Sequence, residues 1–257
     1  MKYLLIFLII PCILWSQELT LTETNDLDAD VFVGVDNYNS LYFIKDQVLY
    51  KDDHQNLYNF NELQLGDISS VDIINPLNIL VFYSDLNTVV LLDNHLNEIE
   101  RINFSMISEF TNVSHTGIAG KNQLWLFNID TQQVELYNYR SHRKVVVSQP
   151  VDGEINYMTS NFNYCHLLSD EYLRIYDIYG SLLSKYPLNG FEKMTIYNKN
   201  MITVKENELY YITESFKLEE KIFSPDFKIK DLQLTQDFLY IYDGKQLHVF
   251  SLKLPKE

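Results

Sequence analysis

Short apolar runs recur along the chain at near-constant spacing, each cut off by a polar turn. Aligned on their first residues they are LYFI from Leu41, ILVF from Ile79, LWLF from Leu124, CHLL from Cys165, MITV from Met201 and FLYI from Phe238. A second run follows each after a short turn (QVLYK, TVVLLD, QVELYN, YLRIYD, ELYYIT, QLHVFS), and a third precedes it (VFVGVD, SVDII, HTGIAG, INYMTS, KMTIY, KDLQLT). The apolar spacing follows two rather than 3.6, and the polar stretches are too short for a helix of ordinary length, so these runs predict strands. Five units add a fourth strand: LYNFNELQL, NEIERINF, RKVVVSQ, SLLSKYPL and KLEEKIF. After QLHVFSLK only LPKE remains, too little for another. A spare alternating segment, ELTLTET at residues 18 to 24, stands before the first unit. It is expected to complete the last sheet, because both segments otherwise leave backbone donors and acceptors unpaired.

A period of about 40 residues with four strands per unit predicts an all-β fold, a β-propeller of six four-stranded antiparallel blades whose last blade is closed by the N-terminal strand. The copy NYCHLLSDEYLRIY is spelled more weakly than the rest, and misassigning it would make five or seven blades. The stretches GVDNYNSLYFIKDQVLY, INPLNILVFYSDLNTVVLLD and TQDFLYIYDGKQLHVFS resemble propeller repeats of the NHL and YWTD types, although no blade carries the YWTD tetrad and no specific family is assigned. The resemblance implies a six-bladed propeller, a fold that hosts calcium-dependent lactonases and hydrolases as well as pure binding modules.

The first residues change the picture of where the chain works. Lys2, the apolar stretch LLIFLIIPCILW and then Ser16 and Gln17 read as a secretory signal peptide over residues 1–17, leaving a single propeller domain at 18–257 with no transmembrane span. The segment looks like the signals of Bacteroidetes. The expected destination is outside the cytoplasm: periplasmic, outer-envelope associated or extracellular. An uncleaved anchor is one alternative. A lipoprotein joined through Cys12 is another, opposed by Pro11 before it and apolar residues after it. With Cys12 removed, Cys165 is the one remaining cysteine, so no intramolecular disulfide can form and the fold must hold by its core.

Against 20 Lys and Arg stand 35 Asp and Glu, a formal net charge of −15. That disfavours nucleic acid and anionic membrane as partners and favours cations and basic surfaces. Reactive clusters are missing from the spelling. The six His fall singly, and there is no HExxH, CxxC, GxSxG, phosphate loop or EF-hand run. NDLDAD, residues 25 to 30, comes nearest to a cation loop but lacks its glycine and distal Glu. The reading is therefore a non-catalytic binding or scaffolding module without cofactor, acting through one face of the ring. The alternative is a lactonase-like or sugar-acting hydrolase with Ca2+ held by carboxylates at the channel mouth.

One pattern points to the face. In a propeller the turns between second and third strands and the links from each outer strand to the next inner strand emerge on the same side. The turns hold Asp46, Asp85, Asp130, Asp170, Glu206 and Asp243; the links hold Asp28, Asp67, Glu109, Asp152, Glu192 and Asp226. The opposite side is spelled with Asn37, Asn39, Asn75, Asn78, Asn122, Asn161, Asn198 and Asn200, with Arg140, His142 and Arg143. Two explanations compete. Asp and Asn build tight turns through their own side chains whatever the protein does. A face of one sign would instead dock a protein or other envelope ligand, basic if the acids are what bind it.

Overall fold

In the computed structural model, which describes residues 18–212 and 219–253, the strands form six antiparallel sheets of four, set as blades around a ring. The first strand is β1 (Glu18–Asp26). Blade one follows as β2 (Val31–Val35), β3 (Leu41–Lys45), β4 (Val48–Asp52) and β5 (Leu57–Phe60). Blade two is β6 (Ser70–Asp72), β7 (Ile79–Tyr83), β8 (Thr88–Leu92) and β9 (Glu98–Asn103). Blade three is β10 (Val113–Ile118), β11 (Gln123–Asn128), β12 (Gln133–Asn138) and β13 (Arg143–Val147). Blade four is β14 (Ile155–Ser160), β15 (Tyr164–Ser169), β16 (Tyr172–Asp177) and β17 (Leu182–Pro187). Blade five is β18 (Lys193–Tyr197), β19 (Asn200–Lys205), β20 (Glu208–Ile212) and β21 (Glu219–Phe223). Blade six is β22 (Asp231–Leu234), β23 (Phe238–Tyr242) and β24 (Gln246–Lys253), completed by β1. The signal-peptide reading falls on residues outside those described. No helix among the described residues is long and apolar enough to cross a membrane.

The expected closure is present. β1 runs antiparallel to β24 with Thr20 opposite Ser251 and Leu21 opposite Phe250, and a register shift between Leu21 and Glu23 bends it around the blade. Side chains add to the ladder: Thr22 Oγ1 donates to the Val249 carbonyl at 2.8 Å, and Gln246 Nε2 to Asp26 Oδ1 at 2.9 Å. LYNFNELQL is a strand only as far as Phe60. Its last residues turn into a short 3-10 segment, Leu63–Leu65, which drops Leu65 into the seam between blades one and two.

The buried apolar side chains described gather in six clusters, one at each seam between neighbouring blades. This explains why the middle strands read as unbroken apolar runs. A strand sends successive side chains to opposite faces, and in a ring each face meets a neighbour. Along β7, Ile79, Val81 and Tyr83 enter the seam with blade one, while Leu80 and Phe82 enter the seam with blade three. Along β11, Leu124 and Leu126 face blade two, while Trp125 and Phe127 face blade four. Each such side chain contributes about 1.5–3 kcal/mol by leaving water. Outer strands have one wet side and alternate accordingly, as in β13 and β17.

The free inner edges are sealed between blades. Asp72 on β6 accepts from the Ile118 amide of β10 at 2.7 Å, Thr195 on β18 from the Leu234 amide at 2.8 Å, and Asp231 on β22 from the Phe32 amide at 3.2 Å. Gln233 spans both backbone groups of Val35, accepting at 2.6 Å and donating at 3.0 Å. It reaches them because Gly34, with φ of 154°, has no Cβ; one built there would sit 2.9 Å from the Gln233 amide.

Candidate functional site

All twelve acids singled out above lie in the expected connections, on what we call the link face. All are exposed except Asp243. The two explanations can be separated by what each carboxylate touches. On the far face, aspartates build their own turns: Asp36 Oδ1 accepts from the Tyr38 and Ser40 amides at 2.8 and 2.9 Å, and Asp93 Oδ1 from His95 and Asn97 at 2.8 and 2.9 Å. Asp177 does the same for Tyr179 and Ser181. That side therefore carries acids as well as the expected amides and bases. On the link face, Asp243 alone of the six turn acids closes its own turn, accepting from the Lys245 and Gln246 amides at 2.7 Å each. Asp130 and Asp170 take side-chain amides from the adjoining blade edge, Asn112 and Asn156. Asp46, Asp85 and Glu206 stand in turns that their carboxylates do not brace.

Amides brace this face instead. Asn87, in the left-handed region at φ 48°, donates to the Thr111 carbonyl at 2.6 Å and accepts from the Val113 amide at 3.1 Å. Asn207, at φ 62°, donates to the Phe227 carbonyl at 2.8 Å and accepts from the Ile229 amide at 2.7 Å. Each ties a turn to the link leading into the next blade. Sequence reasoning missed both; the available signal was an Asn closing a turn of two to four residues, where a positive φ is tolerated.

The acids do not form an even ring. In the link-face connections at residues 61–69, 84–87, 104–112, 129–132, 148–154, 170–171 and 188–192 there is no Lys or Arg. Those connections hold Asp67, Asp85, Glu109, Asp130, Asp152, Asp170 and Glu192, joined by Glu154, Glu171 and Glu62, the last paired with Arg101 of β9 at 2.6 Å. The rest of the circle is mixed: Asp28 pairs with Lys45, and Lys228, Lys230 and Lys245 flank Asp226 and Asp243. The acidic field is an arc over blades two to four. Within the same arc Leu63, Leu86, Met106, Phe110 and Ile129 are exposed, Met106 at 85% and Phe110 at 57%.

At the link-face end of the ring a cavity of about 210 Å³ opens between Val31, Val33, Ser70, Tyr157, Lys193 and Asp231. Its charges are already spent. Lys193 Nζ lies 3.3 Å from Asp231 Oδ1, whose other oxygen holds the Phe32 amide. Burial, with the Asp231 charge adding to it, pushes the Tyr157 phenol up to about 12. Burial likewise raises the Asp72 carboxyl, against the Ile118 and Ile74 amides that favour its charged form. Burial raises the Cys165 thiol well above its ordinary value and lowers His166 to about 4, so this adjacent pair is inert core. No three His, Cys, Asp or Glu among the described residues gather at metal-ligand spacing.

Asp243 is the exception among the acids and yields a pH prediction. Burial opposes its charge, but the His248 ring at 2.9 Å and the Gln246 and Lys245 amides together hold its carboxyl below the ordinary value. Its stabilisation is complete above the unfolded pKa of about 3.9 and is lost as pH falls through the lower folded value. Asp243→Asn should cost about 1 kcal/mol at pH 7 and nothing near pH 2. Denaturant titrations of both proteins across pH 2 to 7 check this; a pH-independent difference would remove the Asp243 charge from the account.

No protein-family model matches the chain, and no curated protein matches it in sequence. Solved structures do match. The likeness is to β-propellers. The β-propeller domain of Cps50 (Swd1) from Myceliophteria thermophila aligns with a TM-score of 0.64 at 9% identity, over 92% of this chain and 100% of that one. Streptogramin B lyase aligns with a TM-score of 0.61 at 10% identity, over 90% and 98%. BBS1N, solved in complex with ARL6, aligns with a TM-score of 0.61 at 12% identity, over 87% and 78%. At these identities the likeness establishes the fold alone, and a fold does not fix a function. This propeller's function rests on its own surface.

Proposed function

We propose that the protein is an exported, non-catalytic propeller that docks a basic protein partner on the link face over blades two to four. The observation that carries the reading is the arc itself: exposed acids in connections that contribute no Lys or Arg of their own, interleaved with exposed Leu63, Leu86, Met106, Phe110 and Ile129. Charge of one sign steers a basic partner and sets its orientation, while desolvated apolar side chains supply most of the affinity. The far face also exposes Tyr38, Leu77, Phe162 and Tyr179, but among charges of both signs. BBS1N supports the reading as a propeller solved with a protein partner. The signal-like residues 1–17 support export. Docking of this kind needs neither metal nor cofactor.

The test is affinity capture from native envelope extract with tagged residues 18–257, against two variants. One replaces Asp67, Asp85, Asp130 and Asp170 by Asn and Glu109 by Gln; the other carries Met106→Ser and Phe110→Ser. Asp243 is left alone because it braces the fold. Capture should weaken as salt passes physiological strength, where the screening length is about 8 Å. The acid variant should lose at least tenfold in affinity while melting within a few degrees of the wild type, since exposed substitutions cost little. Equal capture of the same partners by the acid variant would overturn the reading.

A further inference from the structure

A second cavity, of about 230 Å³, lies at the seam between blades three and four, beside the link that carries Asp152. Its walls are the link into blade four, with Gln149 and Asp152, and strands β16 and β17, with Arg174, Tyr176, Leu182 and Lys185. Arg174 is only 3% exposed. Its Nη1 donates to Ser169 Oγ at 3.1 Å and its Nη2 to the Asp152 carbonyl at 2.9 Å, both neutral acceptors. No carboxylate oxygen of the described residues comes within 4.0 Å of it or of Lys185. A buried guanidinium without a counter-ion is costly.

Its neighbour makes the position worse. Arg174 and Lys185 are direct cross-strand partners in the β16–β17 ladder, and like charges placed opposite one another are destabilising. Tyr172 relieves part of this, since Lys185 Nζ lies 4.1 Å and the Arg174 guanidinium carbon 5.3 Å from its ring centroid. The ring face offers no acceptor for the remaining N–H groups, and a guanidinium has five. In a chain of net charge −15, two cations on one cavity with no carboxylate oxygen within 4.0 Å of either is an arrangement built for an anion from outside.

We propose that this cavity binds a small organic monocarboxylate, its carboxylate between Arg174 and Lys185 and its apolar body against Tyr176 and Leu182. Two features select that class over inorganic phosphate. Asp152 is also a lining residue, so two cations against one acid leave a single net positive charge, suited to a monoanion. Pro150, Val151, Tyr176 and Leu182 give the lining an apolar part, and the volume exceeds the ~150 Å³ that accommodates benzene in an engineered cavity. The site borders the arc through the link at Asp152, but benzoate binding does not depend on a docked partner, so its failure would leave that reading untouched.

The test uses residues 18–257 at low salt, with sodium benzoate, acetate and phosphate compared with sodium chloride at matched ionic strength, by calorimetric titration and thermal melting. Benzoate should bind saturably and raise the melting midpoint by about 3–5 °C at ten times its dissociation constant. Acetate should bind far more weakly, and phosphate should act no differently from chloride. Arg174→Met should abolish benzoate binding. Lys185→Met, at an exposed side chain that does not threaten folding, should weaken it about tenfold and decides the matter if the Arg174 variant does not fold. A benzoate shift no larger than that of chloride, or unchanged affinity in Lys185→Met, would overturn the proposal. Tighter binding of phosphate than of benzoate would overturn the ligand class.

Discussion

A protein that begins at residue 26 melts about 8–24 °C below one that begins at residue 18. β1 supplies the outermost strand of blade six through its ladder with β24, and Leu19 packs into the cluster at the seam of blades five and six. Losing it exposes apolar surface there and a row of unpaired backbone groups along β24. An expected cost of about 4–6 kcal/mol, at 2–4 °C per kcal/mol for a domain of this size, gives the shift. The open edge is also a template for another chain, so the shortened protein should self-associate, visible by light scattering. An unchanged midpoint in a monodisperse sample would show that β1 contributes no stability to the ring.

The second large effect is expected at Trp125. It is fully buried on β11 in the seam between blades three and four, and its Nε1 donates to the Asn161 carbonyl of blade four at 2.9 Å. Trp125→Ala removes the largest buried side chain and leaves a cavity that the stiff sheets cannot close, at a cost of about 3–5 kcal/mol. Trp125→Phe keeps most of the packing and loses the hydrogen bond, at about 1–2 kcal/mol. Urea unfolding followed by far-ultraviolet circular dichroism separates the two. An alanine variant within 1 kcal/mol of the wild type would move the source of stability away from the seams.

Much of the architecture was legible because it is local. Runs such as ILVFY and TVVLL are apolar at every position since both faces of a middle strand meet a neighbouring blade, and their recurrence counts the blades. The placement of Asp46, Asp85, Asp130, Asp170, Glu206 and Asp243 in one set of turns followed from strand order alone. Less was legible in the candidate site. Asp243 spells like its five counterparts, yet a histidine on the following strand and two amides make it a brace. The outer strand of blade one was expected to run through LYNFNELQL, but it stops at Phe60 so that Leu65 can enter a seam.

The sequence by itself determined the strands, their order, the closure of blade six by the N-terminal segment and the side on which the acids emerge, because each depends on alternation and on turns spanning a few residues. Only the tertiary structure decided which carboxylates are free, how the inner edges are sealed and where charge is uncompensated. Gln233 reaches Val35 across a separation of 198 residues, and Arg174 meets Lys185 with no carboxylate in ion-pair range because of a ladder register and the path of the link at Asp152. Such contacts are set by how six sheets close into a ring, a geometric condition on the whole chain that no local pattern encodes.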